Sequence, residues 1–332
     1  MKKLILHITL LLLVFTGTAF GQIDPHFSQY YAYPLWLNPA LTGVVDGDTR
    51  LTANYKDQWN AVGNGYRTAA VSGDFRTSEK VALGFTIIDQ GAGTAGYNYL
   101  GGYGSFAYQI PVSANKYQKL NLGVQAGVIN RAFNAANLQF DNQYNPQSGY
   151  DGSMPSYENF RSANSTIFDA SAGVFYYNGD PANNVNLFFG ISAAHLAPVK
   201  NPGDTTDGLS SRVPMRETIH GGLRIRASEG FDITPHAMFI KQAQNQLLAA
   251  GLNLEFKLQS DYSLILGGMY RVGDAAVANV GFHLGNMLIG MSYDYTTSTL
   301  NKAVNPQGTY EVSLSYIIKH HLSNREQICP RL

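Results

Sequence analysis

Charge is the scarcest ingredient of this chain. Charged residues are 14% of the total, and 23 basic side chains are cancelled by 23 acidic ones. A soluble globular domain carries about 25%, and a nucleic-acid binder shows a basic excess that is missing here. Cysteine is nearly absent. Cys329 stands alone, so no internal disulfide can form. The last four residues, Cys329-Pro330-Arg331-Leu332, have the spacing of a prenylation box but put Pro-Arg where an aliphatic pair belongs. Long apolar runs are missing beyond the first 20 residues. Nothing later approaches the roughly 18 consecutive apolar positions of a membrane-spanning helix.

Chemistry-bearing motifs are also scarce. His220, His236 and His283 fall at no metal-ligand spacing, and the adjacent His320 and His321 diverge on an extended chain. Asp46-Gly47-Asp48 lacks the later ligands of a calcium loop and reads as a turn. Gly91-Ala92-Gly93 has no helix after it and so is no phosphate cradle. No G-x-S-x-G elbow occurs. The expectation is a protein without catalytic residues, cofactor or metal. A barrel enzyme built from separated strands is the third-ranked alternative.

What is abundant is tyrosine (21), glycine (34) and aromatic side chains generally, at 12%. Met1-Lys2-Lys3, the apolar run 4–15 and Ala19-Phe20-Gly21 have the form of a signal peptide over residues 1–21. The mature chain is expected to begin at Gln22.

Beyond Gly47, segments of roughly ten residues alternate apolar with small or polar, separated by turn residues, the period-two signature of membrane barrels. The predicted strands are 50–57, 65–75, 80–89, 97–110, 117–133, 166–177, 185–196, 216–227, 231–241, 246–258, 262–272, 275–284, 287–295 and 309–318. In the last, Tyr310, Val312, Leu314 and Tyr316 form one face and Thr309, Glu311, Ser313 and Ser315 the other. A single such strand suits a half-buried soluble sheet equally well. Fourteen in succession, behind a leader, favour an all-β antiparallel outer-membrane barrel over residues 49–318.

Loop lengths alternate short and long, as they do between periplasmic turns and extracellular loops, with two exceptions near 242–245 and 273–274 that are short where a long loop is expected. Both termini are then expected in the periplasm, with residues 22–48 as an N-terminal periplasmic segment and 319–332 as a periplasmic tail. Tyr66, Tyr97, Tyr99, Tyr176, Tyr177, Tyr293 and Tyr295 near strand ends suggest an aromatic girdle, although tyrosine favours strands anyway. Arg224, Arg226, Glu255, Lys257, Arg271, Asp294 and Glu311 interrupt apolar runs. Facing lipid, a basic one would cost about 2–4 kcal/mol at the midplane, so they are expected to face the lumen or the rims. His195, at a strand end, is read as a lumen or girdle residue.

The stretch 22–43, QIDPHFSQYYAYPLWLNPALTG, is too polar to span a membrane and too aromatic for a slack linker. Its Asp24-Pro25 and Asn38-Pro39 steps hold the backbone out of the helix region. Its aromatic and aliphatic side chains need a surface, whether the barrel's own mouth or a partner. Asp24, Pro25, Phe27, Gln29, Tyr30, Trp36, Asn38 and Pro39 are therefore the plug or partner-docking candidates.

These residues also carry a resemblance. Asp24-Pro25-His26-Phe27-Ser28-Gln29-Tyr30, then Leu37-Asn38-Pro39-Ala40 and Gly43, resembles the opening of the PorP/SprF family. Ser292-Tyr293-Asp294-Tyr295, the strand Tyr310 to Tyr316 and the ending Cys329-Pro330-Arg331 fit the same pattern. The resemblance implies a 14-stranded outer-membrane barrel with no enzymatic role. It further implies assistance to the type IX secretion system in secreting or anchoring large cargo with C-terminal sorting domains, gliding adhesins among them. The main translocon and its periplasmic ring lipoproteins would be its neighbours. A general diffusion porin is the alternative.

Overall fold

Alternation decides which way each strand residue points, and here it separates a lipid face from a lumen face. The computed structural model of the chain describes residues 24–59, 64–157, 164–196, 213–259, 261–298 and 308–319. The expected leader, and the tail beyond Lys319, lie outside them.

Fourteen antiparallel strands close into a barrel. They are β1 (Thr49–Gln58), β2 (Tyr66–Arg76), β3 (Val81–Ala92), β4 (Tyr97–Pro111), β5 (Gln118–Ala132), β8 (Asn164–Asn178), β9 (Val185–Ala194), β10 (Arg216–Ser228), β11 (Phe231–Gln242), β12 (Asn245–Gln259), β13 (Tyr262–Arg271), β14 (Ala275–Leu284), β15 (Met287–Thr296) and β16 (Thr309–Ile318). Each pairs with its sequence neighbour in the wall, and β1 pairs with β16 from Thr49↔Ile318 to Asp57↔Tyr310 to seal the ring. Closure leaves no edge strand, the condition for a sheet to sit in hydrocarbon. All fourteen predicted strands are present. The long connection between β5 and β8 also carries a small hairpin, β6 (Tyr144–Asn145) with β7 (Gly149–Tyr150), that was not expected.

Connections at one end are short. β14 and β15 are joined by Gly285-Asn286, with Gly285 at φ 61°, a left-handed position that a tight hairpin demands and glycine supplies without strain. We call this the turn end and the other the loop end. β1 begins, and β16 finishes, at the turn end.

The outer face is apolar at mid-strand: Leu51, Phe85, Phe106, Val124, Ile191, Leu252 and Leu314 are exposed there. In water such a belt would be an aggregation liability; in lipid it is a solvation shell. Outward charges such as Asp57, Arg67, Asp89, Glu217 and Lys241 gather towards the loop end. Outward tyrosines sit at both margins, with Tyr55, Tyr270, Tyr295 and Tyr310 near the loop end and Tyr108, Tyr262 and Tyr316 near the turn end. The girdle exists, but several residues expected in it belong elsewhere. Tyr99 (3% exposed) and Tyr177 (fully buried) point into the lumen. They occupy inward positions of the alternation, and the lumen has an apolar filling for them to meet.

Candidate functional site: a filled lumen

That filling is the opening stretch of the chain. Residues 24–45 run inside the barrel from the loop end to the turn end before the chain turns into β1. Proline and asparagine shape the path. Tyr30–Ala32 makes a 3-10 turn, Pro34–Leu37 one helical turn with Pro34 in its first turn, and Pro39–Leu41 a second 3-10 turn capped by Asn38. Proline's fixed φ and missing N–H suit the start of such turns.

At the loop end Asp24 is the anchor. Its N–H donates to Gln242 Oε1 at 2.8 Å, and its Oδ2 accepts from His195 Nε2 at 2.5 Å and Arg216 Nη1 at 3.1 Å. His195 Nδ1 bonds Asp169 Oδ2 at 2.8 Å, the oxygen to which the Tyr103 hydroxyl also donates. Burial alone would lower the His195 pKa. The charge of Asp24 and hydrogen bonds to Asp169 and Asp24 overcome this and push it up to about 9. Burial would raise the Asp24 pKa, but His195 and Arg216 hold it well below the usual carboxylate range. With a carboxylate on each ring nitrogen, His195 is a charged strut with no nitrogen free for proton transfer. Arg216 also donates to the Trp36 carbonyl at 2.9 Å and lies 4.6 Å from the centre of its ring, while Trp36 Nε1 donates to the Pro25 carbonyl at 2.7 Å.

A second cluster grips Ser28. Glu311 accepts the N–H groups of Ser28 (2.6 Å) and Gln29 (2.9 Å). The Ser28 hydroxyl donates to Asp294 at 2.5 Å and accepts from Arg271 Nη1 at 2.7 Å and Lys56 Nζ at 3.3 Å. Below it, the hydroxyl of Tyr30 bonds His236 Nδ1 and that of Tyr33 bonds Thr86. Phe27 packs edge-on against Tyr33 at 5.3 Å.

Asn38 is fully buried at mid-barrel. Its Oδ1 accepts from the Ala40 N–H at 2.9 Å, and its Nδ2 reaches the Val174 carbonyl at 3.1 Å and His220 Nε2 at 3.1 Å. The wall is cut away to receive it. A Cβ on Gly123 would collide with the Pro39–Ala40 backbone, one on Gly173 with Asn38 Oδ1, and one on Gly190 with His220 and Asn38 Nδ2. At the turn end Asp74, wholly buried, accepts from Gly43 N–H (2.7 Å), Arg50 Nε (2.9 Å) and Arg50 Nη2 (3.0 Å).

Of the candidate residues, Asp24, Pro25, Phe27, Tyr30, Trp36, Asn38 and Pro39 are buried in the lumen and Gln29 is half-buried. The expectation of a periplasmic segment over residues 22–48 is corrected: residues 24–45 lie inside the barrel, along its whole length. Arg271, Asp294, Glu311 and Glu255 are buried on the lumen side, and Arg224 and Lys257 pair there with Asp232 at 2.5 and 3.0 Å. Sequence reasoning missed Lys56, Asp74 and Arg216, which bond the plug directly, and Asp169, which reaches it through His195. Asp74 and Asp169 are isolated inward charges, the signal that marked the seven lumen or rim charges it did identify, whereas Lys56 and Arg216 each adjoin an outward charge, Asp57 and Glu217. Among the described residues no group of three or more His, Cys, Asp or Glu is placed to hold a metal.

A family profile described as type IX secretion system membrane protein PorP/SprF matches residues 19–316. No curated protein matches the chain. Among solved structures, the toluene transporter TbuX of Ralstonia pickettii is similar at a TM-score of 0.51 and 10% identity, over 86% of this chain and 93% of that one. The toluene transporter TodX of Pseudomonas putida gives 0.48 and 10%, over 88% and 94%. At such identity the likeness to TbuX shows the barrel fold alone.

Proposed function

Because the chain belongs to the PorP/SprF family of type IX secretion system membrane proteins, we propose that this outer-membrane barrel is a non-enzymatic accessory of that system. In this reading it assists secretion or surface anchoring of large cargo proteins with C-terminal sorting domains, gliding adhesins among them. The turn end faces the periplasm, where the translocon and its ring lipoproteins would meet it, and the loops face outward. The observation that carries this reading beyond the family is the filled lumen. A diffusion porin needs an open bore, whereas residues 24–45 are bonded to the wall at the loop end, the middle and the turn end. With its bore filled, the barrel offers a partner its two ends and its loops.

The test is deletion of the gene, followed by quantitative proteomics of the cell surface and by uptake of small solutes. The expected result is loss of surface-anchored proteins with uptake unchanged. Unchanged surface proteins with reduced uptake would favour the porin.

A further inference from the structure

The plug meets the two halves of the bore differently. On the side of β5, β8 and β9 it is seated on Gly123, Gly173 and Gly190, where a Cβ would strike Asn38 or the Pro39–Ala40 backbone. On the side of β11 to β16 its grip lies near the loop end. The N–H groups of Ser28 and Gln29 donate to Glu311 at 2.6 and 2.9 Å, Ser313 Oγ donates to Gln29 Oε1 at 2.8 Å, and the Tyr30 hydroxyl bonds His236 Nδ1. Beneath residues 28–30 plug and wall part. A cavity of 160 Å³ runs between them to Asp46, Ile317 and Lys319 at the turn end.

The wall of that cavity suits water better than packing. β11, β12 and β14 line it with Thr234, Asn253, Glu255, Asn279 and His283, and β13 adds Ile265 and Met269. A polar space holds water once it is roomy enough, at about 10–15 Å³ per molecule, so about ten waters fit here. The opposite wall instead buries Ile129, Phe175 and Phe188. A barrel interior lined by polar side chains is the form of an aqueous channel.

One stretch of the plug closes this space towards the loop end. Residues 26–31 leave Asp24, which is tied to His195 and to Arg216 of β10. They cross to the ion cluster of β1, β13, β15 and β16 around Ser28 and return, so that Tyr31 packs edge-on against Phe188 of β9 at 5.8 Å. Tyr30 and Tyr31 cluster with Met238, Leu247, Met269 and Val277 of the wall and complete the closure.

We propose that residues 26–31 are a strap that gates this half of the bore. With Ser28 released from Glu311 and Asp294, and the Tyr30 ring lifted from the wall, the cavity joins the loop end. Small hydrophilic solutes then pass along β11 to β16 while residues 33–45 keep their seats. The strap is closed at rest, so the inference goes beyond the secretion reading without depending on it.

The experiment records the conductance of the full chain in planar bilayers bathed in potassium chloride. Ser28→Ala, Tyr30→Ala and Glu311→Ala together loosen the strap. Heat-modifiable gel mobility verifies that the barrel has folded, and Trp36 emission in a Trp59→Phe background verifies that the rest of the plug is seated. Should the triple variant not fold, Tyr30→Ala alone takes its place. Steps are expected from the loosened protein, smaller than those from a chain lacking residues 24–45, and none from the parent. A second measurement locates the path. Cys329→Ser removes the one native cysteine, and Asn279→Cys then puts a thiol in the cavity lining. In the closed parent this thiol should react with a cationic methanethiosulfonate, as a wet cavity reaching the turn end requires. In the loosened protein the same reaction should reduce the steps. Absence of steps from a folded, loosened protein overturns the proposal. So do steps as large as those of the deletion, which would mean that the whole plug leaves. An unreactive thiol would make the cavity dry, and steps unchanged by its reaction would put the path elsewhere; either result also overturns it.

Discussion

His195 joins the plug to the wall by charge, and that makes the loop-end tether sensitive to pH. Its pKa is raised to about 9 by Asp24 and Asp169, against roughly 6.5 when unfolded. A raised value means the stabilisation is complete below about pH 6.5 and is lost as pH rises through about 9. Asp24 is depressed, so its share is complete above its unfolded value near 3.9 and fades as pH falls below it. Trp36 reports on this directly, because Trp59 is the only other tryptophan and can be removed as Trp59→Phe. Trp36 emission is expected to hold steady between about pH 4 and 6.5 and to shift red through about pH 9. The red shift should vanish in His195→Asn. At this scale the sequence was partly legible. Isolated charges in alternating strands pointed inward, since lipid would not tolerate them. Which charge met which could not be read, because Asp24 and His195 are 171 positions apart and only the closed ring brings them together. Tyr99 and Tyr177 were misread as girdle residues for a related reason. A tyrosine near a strand end satisfies a wet rim and a packed lumen equally well, and only its parity within the strand separates the two.

The plug is an element with little structure of its own. Its turns hold only three or four residues each, too short to persist in water, so its shape is imposed by the wall. Gly123 is where the imposition is tightest. A side chain there meets backbone, which cannot rotate away as a flexible side chain would. Gly123→Val is expected to cost about 3 kcal/mol of plug seating while leaving the outward face of β5 untouched. The barrel should keep its heat-modifiable mobility while chymotrypsin begins to cut among the aromatic residues 27–36, which resist in the wild type. Resistance unchanged in the variant would mean the plug is held elsewhere. The strands were readable because a period of two survives any register. The glycine seats were not, since glycine in a strand serves equally for a bulge, a weak spot or a close approach.

As a whole molecule, the barrel is a cylinder with its bore closed at the loop end. Reconstituted in planar bilayers, the wild type should show no conductance steps, and deletion of residues 24–45 should produce them. Steps from the intact protein would contradict a closed bore. The 14-strand wall was legible from composition and period. The route of residues 24–45 was not, because an aromatic stretch says that it needs a surface without saying which.

Ser28 sits at the seam of that cylinder. Lys56 of β1 and Glu311 of β16 are directly opposed across the first and last strands, and both bond Ser28. A sheet that must find its own far edge faces the largest loop-closure penalty the chain can present. Here the segment leading into β1 folds back inside the wall and offers both edges a common handhold. The residues that fill the finished bore thus also bridge its first and last strands, so one contact holds both the plug and the seam.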